Sequence, residues 1–290
     1  MNGGHVQRRW HLVVLAVLGV LALACEGGAG SDPAPKPTAT RKPRPGGGPA
    51  SMAALGDSIT AGVGSCVTYL ACSHNSWSTG DNDGVDSHYR RILAKNPGIK
   101  GNEHNFAEPG AEADALVTQA RRAVDAKAQY VTILIGANDA CAGSVADMTP
   151  VATFRNEVDR GLAELKKGLP RADLLMVSIP DLYRLWQVGR NDDDAVRVWR
   201  TGGVCPSMLA DPTSTASADE RRRRAVRDRI DAYDEVLHRS CAGYGSRCRW
   251  DGGRVHGLRF SLDLVNRFDY FHPNLKGQNE LADVTFAARN

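Results

Sequence analysis

An excess of charge of one sign is missing. The chain carries 36 basic and 33 acidic side chains, a formal net charge of +3 over 290 residues. That balance leaves no electrostatic footprint for a nucleic acid, so none is expected as a partner. Long apolar runs are missing too. The one sustained run, Leu12 to Ala24, falls short of the roughly 20 residues a helix needs to cross a bilayer. No Cys-x-x-Cys pair and no compact set of ligand-type side chains occurs. The spacing of a structural zinc site is therefore absent, and neither metal nor other cofactor is expected. Nothing recurs at a fixed period, which excludes a solenoid or propeller.

What is present begins with a leader. Arg8 and Arg9 precede the apolar run, and small residues close it at Leu21-Ala22-Leu23-Ala24-Cys25. This is the layout of a signal peptide over residues 1–24. The closing residues resemble a bacterial lipobox, in which Cys25 is acylated and becomes the mature N-terminus. Ordinary cleavage and release is the alternative. Residues 25–50 are rich in Gly, Pro, Ala, Thr and Lys/Arg. They hold too little apolar surface to fold and read as a tether.

Six further cysteines remain: Cys66, Cys72, Cys141, Cys205, Cys241 and Cys248. An even number in an exported chain reads as disulfides. Short separations favour Cys66–Cys72 and Cys241–Cys248, which leaves Cys141–Cys205.

Residues 51–290 read as one domain in which strands and helices alternate. Met52 to Leu55, His104 to Phe106, Tyr130 to Ile135, Leu174 to Ile179 and Arg247 to Trp250 are the expected strands. Tyr130 to Ile135 is apolar without alternation, the pattern of a strand covered on both faces. Helices are expected over Ala111–Ala128, from Thr149 as N-cap with Pro150 in the first turn, from a Ser217-x-x-Glu220 capping box, and over Leu275–Ala288. Their inward stripes are Leu116, Ala120, Val124; Phe154, Val158, Leu162, Leu165; Val226, Ile230, Tyr233, Leu237; and Leu281, Val284, Ala288. Arg221 to Arg224 reads as a solvated face answered by Asp228, Asp231, Asp234 and Glu235. The alternation predicts a parallel sheet with helices on both sides.

The chain is organised around Gly56-Asp57-Ser58, directly after the first strand. Gly56 lets the backbone turn, and Ser58 is left at a carboxyl end, where open α/β sheets bind ligands. A serine there reacts only if a base takes its proton. Asp269-x-x-His272 supplies an imidazole and a carboxylate to fix its tautomer from one turn. His256 is the rival base, but its expected place is a surface loop. No Gly-x-Ser-x-Gly elbow occurs, so the α/β-hydrolase route to this chemistry is not taken.

Four blocks follow one another: Gly56-Asp57-Ser58, Glu108-Pro109-Gly110, Gly136-Ala137-Asn138-Asp139 and Asp269-Tyr270-Phe271-His272. In this order they resemble the SGNH, or GDSL-type, hydrolase family over roughly residues 51–290. The resemblance implies a three-layer α/β/α, flavodoxin-like fold with a mainly parallel sheet. It implies Ser58 as nucleophile, His272 as base and Asp269 as its orienting carboxylate. The oxyanion hole would be the N–H groups of Ser58 and Gly110 with the Asn138 side-chain amide. Asp57 and Asp139 are expected to form turns and caps.

Cys141 after Asn138-Asp139, with Cys205-Pro206 later, resembles the branch that holds secreted esterases, lipases and phospholipase-B-like enzymes. Cleavage of acyl esters through an acyl-enzyme is the expected activity, with a small-molecule or lipid ester as substrate. A phospholipase, an acyltransferase with the same triad and a sugar O-deacetylase are the nearer alternatives. A non-catalytic lipid- or glycan-binding lipoprotein is the distant one. Leu182, Tyr183, Leu185, Trp186 and Trp199, with Trp77 from the early loop, are candidate acyl-pocket residues.

Overall fold

A computed structural model of the chain describes residues 48–289. The leader, Cys25 and nearly all of the tether lie outside the described residues.

Strand β1 is Met52–Gly56, followed after a long irregular segment by helix α1, His88–Leu93. Next come β2 (Glu103–Asn105), α2 (Leu116–Asp125), β3 (Tyr130–Leu134), the short α3 (Ala137–Ala140) and α4 (Val151–Gly168). Strand β4 (Asp173–Met176) leads into α5 (Leu182–Gly189), α6 (Asp193–Gly202) and α7 (Pro206–Leu209). The chain closes with α8 (Ser217–Tyr244), β5 (Cys248–Trp250) and α9 (Leu275–Arg289).

The five strands form one sheet in the order β2-β1-β3-β4-β5, and every pair is parallel. Successive side chains leave a strand on opposite faces, and here both faces are covered. Ala53, Leu55, Val131, Ile133, Leu174 and Met176 pack with Leu116 of α2, Phe154, Val158 and Leu165 of α4 and Ile230 of α8. Met52, Tyr130, Leu134 and Leu175 face the other way, onto Tyr89 and Ile92 of α1 and Leu281 and Phe286 of α9. This is the expected three-layer α/β/α arrangement. The strand order reverses direction between β1 and β3, which makes their carboxyl ends the topological switch point.

Several local expectations shift. Helix α4 starts at Val151 after Pro150, and no side chain caps it. Thr149 is occupied otherwise: its N–H bonds the Asp139 carbonyl, and its own carbonyl takes the hydroxyl of Tyr233. The segment expected as one helix over Ala111–Ala128 opens as a 3-10 turn and becomes α-helical only at Leu116. Ser217 lies inside the first turn of α8 without capping it. Ser214 binds Asp219 instead (2.6 Å), and Glu220 is drawn to Tyr183 (2.7 Å) and Arg224 (3.0 Å).

The arginine run is not one solvated face either. Arg223 is fully buried over the Trp186 ring, 4.2 Å from its centroid. Asp219 and Glu220 answer the run, whereas Asp231 and Asp234 turn to His256 and Glu235 to Arg239. The disulfides join Cys66 to Cys72, Cys141 to Cys205 and Cys241 to Cys248, as expected.

Candidate active site

Gly56 ends β1 with φ +143°, and a Cβ there would lie 2.1 Å from the Leu134 carbonyl oxygen. Only glycine fits so close an approach at that dihedral. Gln119 of α2 clamps the residue from the other side. Its Oε1 accepts the Gly56 N–H (2.8 Å) and its amide donates to the Gly56 carbonyl (2.9 Å). The chain then turns, with Asp57 Oδ1 accepting the Ile59 N–H at 2.9 Å. Burial pushes the Asp57 carboxyl up to about 6, against the Ile59 N–H and the nearby His272. The turn role expected of Asp57 is what the structure shows.

Ser58 is almost fully buried at this turn, and its Oγ lies 2.7 Å from Nε2 of His272. Nδ1 of His272 lies 2.5 Å from Oδ2 of Asp269. Oδ1 of Asp269 accepts the N–H groups of Phe271 (2.8 Å) and His272 (3.0 Å). Burial works to raise the Asp269 carboxyl, but the imidazole and these N–H donors outweigh it and hold it below its ordinary value. An ionised carboxylate on Nδ1 fixes the tautomer that leaves Nε2 free to accept a proton.

The loop carrying the pair is held by residues that sequence reasoning passed over. Asn266 Oδ1 accepts the N–H groups of Phe268 (2.8 Å) and Asp269 (3.1 Å), and its amide donates to the His272 carbonyl (3.0 Å). Trp199, expected in an acyl pocket, is buried and holds the same loop from behind. Its indole N–H reaches the carbonyls of Asp269 (3.2 Å) and Tyr270 (3.3 Å). An asparagine three residues before Asp269 was a readable turn signal; the role of Trp199, far away in sequence, was not.

Gly110 and Asn138 follow β2 and β3, the neighbours of β1, so all three blocks emerge at one sheet edge. Gly110 has φ +79° after Pro109. Among the described residues, neither its N–H nor that of Ser58 has an acceptor. Asn138 donates one amide hydrogen to the Ala111 carbonyl (2.9 Å), beside Gly110. An amide carries two hydrogens, so one is left. Asp139 Oδ2 accepts the Ala113 N–H at 3.1 Å, tying the third block to the second. Burial pushes its carboxyl up to about 7.

His256 lies on a turn after β5, but its ring is only partly exposed and is held on both sides. Nδ1 lies 3.1 Å from the Ile179 carbonyl and 3.2 Å from Asp234, and Nε2 lies 3.4 Å from Asp231. Both ring nitrogens face oxygen, which only the doubly protonated ring satisfies. The Asp234 hydrogen bond, opposed by burial, pushes His256 up to about 9. A ring held protonated is no general base.

A small apolar cleft, with room for little more than one water, is lined by Ile59, Leu182, Leu185, Phe260, Val265, Phe271 and Pro273, of which Ile59, Phe271 and Pro273 are chain neighbours of Ser58 and His272. Leu182 and Leu185, candidate acyl-pocket residues, are part of this lining. Tyr183 and Trp186 point to the opposite side of α5, where they line a separate pocket with four arginines. Trp77 is fully buried beneath the sheet, its indole N–H on Thr60.

No curated protein matches the chain. Among solved structures it resembles a catalytic mutant of an acetylxylan esterase from Geobacillus stearothermophilus. The TM-score is 0.51 at 14% identity, over 84% of this chain and 94% of that one. It also resembles an extracellular lipase from Streptomyces rimosus, with TM-score 0.50 at 18% identity, over 82% and 99%. At such identities the likeness is one of fold. The model of the GDSL-like lipase/acylhydrolase family matches residues 54–279, a span that takes in every block brought together at the sheet edge. With the sheet order and the serine–histidine–aspartate contact in place, that match makes the chain a member of the GDSL-like lipase/acylhydrolase family.

Proposed function

We propose that the chain is a carboxylic-ester hydrolase that works through an acyl-enzyme on Ser58. The observation that carries this reading is the continuous hydrogen-bonded line from Ser58 Oγ through His272 to Asp269. Ser58 Oγ attacks the ester carbonyl carbon while its proton passes to His272 Nε2. The carbonyl oxygen becomes an oxyanion, received by the N–H groups of Ser58 and Gly110 and the free amide hydrogen of Asn138. Collapse breaks the carbon–oxygen bond to the alcohol, which leaves with the proton from His272. Water then gives a proton to the same Nε2 and attacks the acyl carbon; collapse breaks the bond to Ser58 Oγ, which takes the proton back from His272, and the acid is released.

The test is kinetic. Ser58→Ala and His272→Ala each lower kcat by at least about a thousandfold, and the double variant falls no further, because the pair acts as a unit. Asn138→Ala lowers kcat by about a hundredfold with little change in KM, since its donor matters mainly in the transition state. A fluorophosphonate labels Ser58 alone. Full activity in Ser58→Ala, or labelling elsewhere, overturns the assignment.

The enzyme is further read as exported and anchored through an acylated Cys25. The leader and the three disulfides support an oxidising compartment. A wild type that carries no acyl group on Cys25 would contradict the anchor.

A further inference from the structure

Large apolar side chains that stand in solvent are few among the described residues, and they are not scattered. They are Val67, Leu70, Tyr69 and Phe268, at 93%, 68%, 48% and 53% exposure. Three belong to the loop closed by Cys66–Cys72, and the fourth to the loop carrying Asp269 and His272. The Tyr69 ring centroid lies 6.1 Å from that of Phe268 and 6.1 Å from the imidazole of His272. One exposed valine would mean nothing; four such side chains on two neighbouring loops, with Tyr69 set between Phe268 and His272, do.

The loop is uncharged from Ala61 to Ser73. It is also braced outward. The disulfide closes it, Gly64 N–H bonds the Leu70 carbonyl (3.3 Å), and Cys72 N–H bonds the Ala61 carbonyl (3.0 Å). The apolar tips therefore stay in solvent until something covers them. Arg267, exposed beside Phe268, sets a cation at the edge of the patch, the layout of surfaces that rest in a headgroup layer. A protein partner on this rim would close the way to Ser58, whereas a layer of lipid would supply ester to it. No helix among the described residues is long and apolar enough to cross a membrane, so contact here is peripheral.

We propose that Val67, Tyr69, Leu70 and Phe268 form the surface on which the enzyme settles onto a lipid layer. The opening to Ser58 then faces the lipid, and substrate passes in without crossing water. This rests on the esterase reading and narrows its substrate to esters presented in a lipid phase.

The test compares wild type with Val67→Asp/Leu70→Asp on two substrates. One is p-nitrophenyl butyrate in solution; the other is a long-chain acyl ester dispersed in phosphatidylcholine vesicles. A third arm follows Leu70→Trp fluorescence on vesicles with brominated acyl chains. The double variant keeps turnover of the dissolved ester within about twofold. It loses at least about tenfold on the dispersed one, as expected when two aliphatic side chains no longer leave water. Leu70→Trp is quenched beyond the wild-type background, a readout at the loop itself that residues 1–47 cannot produce. Equal loss on both substrates would make the loop a wall of the active site and end the proposal. So would an unchanged dispersed rate or absent quenching. A wild type that turns over neither ester while Leu70→Trp is quenched would fault the esterase reading and leave the docking surface standing.

Discussion

Asn266 makes the catalytic loop what it is. With Oδ1 on two backbone N–H groups and its amide on the His272 carbonyl, it holds both ends of the turn that presents Asp269 and His272. It also packs against Gly64, where a Cβ would come within 2.3 Å of its Nδ2. Asn266→Ala leaves two backbone donors short of an acceptor in a buried setting, at a cost of about 1–3 kcal/mol. Since it acts through the triad and not on substrate, kcat falls about tenfold or more with KM nearly constant. Asn266→Asp, which keeps the acceptor, recovers part of kcat. A change confined to Tm would reduce it to a structural residue. The triad itself was legible because its members sit in short blocks. The roles of Gln119 and Trp199 are not legible, because an amide or indole gains its role from partners distant in sequence; that of Asn266 is, since its partners lie two to six residues on.

Among elements, the strands and the apolar stripes of α4 and α8 were readable from periodicity alone, because burial sets them. Caps were less readable. A Ser-x-x-Glu box assumes that its side chains have no better partner, yet Glu220 goes to Tyr183 and Arg224, and Ser217 stays in solvent. Helix α6 is capped in the ordinary way by Asp192, whose Oδ1 accepts the Ala195 N–H at 2.9 Å. Asp192→Ala therefore costs about 1 kcal/mol, while Ser217→Ala stays within about 0.5 kcal/mol of wild type. Urea denaturation separates them, and equal losses would restore the capping box. Helix α5 was misread in a related way. Its aromatic residues were grouped by chemistry, but Leu182 and Leu185 face the cleft while Tyr183 and Trp186 face the arginines.

Over the whole molecule, the fold was legible because strand–helix alternation fixes a parallel sheet, and a parallel sheet sends every carboxyl end to one edge. That alone gathers residues from positions 58, 110 and 138. What alternation does not encode is how the far end of the sheet is fastened. There His256, after β5, joins the Ile179 carbonyl after β4 to Asp231 and Asp234 of α8. His256 is raised from 6.5 to about 9. A group raised on folding contributes its stability in full below its unfolded value and gives it up as pH climbs through the folded one. The window is therefore about pH 6.5 to 9. The ring is partly exposed and screened, so we expect about 1 kcal/mol, a few degrees in Tm for a domain of this size. The fall in Tm between pH 6 and pH 10 is smaller in His256→Gln than in wild type; identical slopes would remove the linkage.

The clamp of Gln119 on Gly56 has a consequence for how freely the site varies. Strand β2 ends at Asn105, opposite Ala54, but the chain stays on β1 as it runs toward Gly110: Phe106 N–H bonds the Ala54 carbonyl (2.8 Å) and Glu108 N–H the Gly56 carbonyl (3.1 Å). At Gly56 the side-chain amide of Gln119 joins that backbone, its Oε1 accepting the Gly56 N–H and its amide N–H sharing the Gly56 carbonyl with Glu108. The seat of the nucleophile is thereby tied, through the Gly56 carbonyl, to the segment that offers the Gly110 donor. A length change over residues 106–110 therefore disturbs the seat of Ser58 as well as the Gly110 donor, so the two halves of the chemistry vary together.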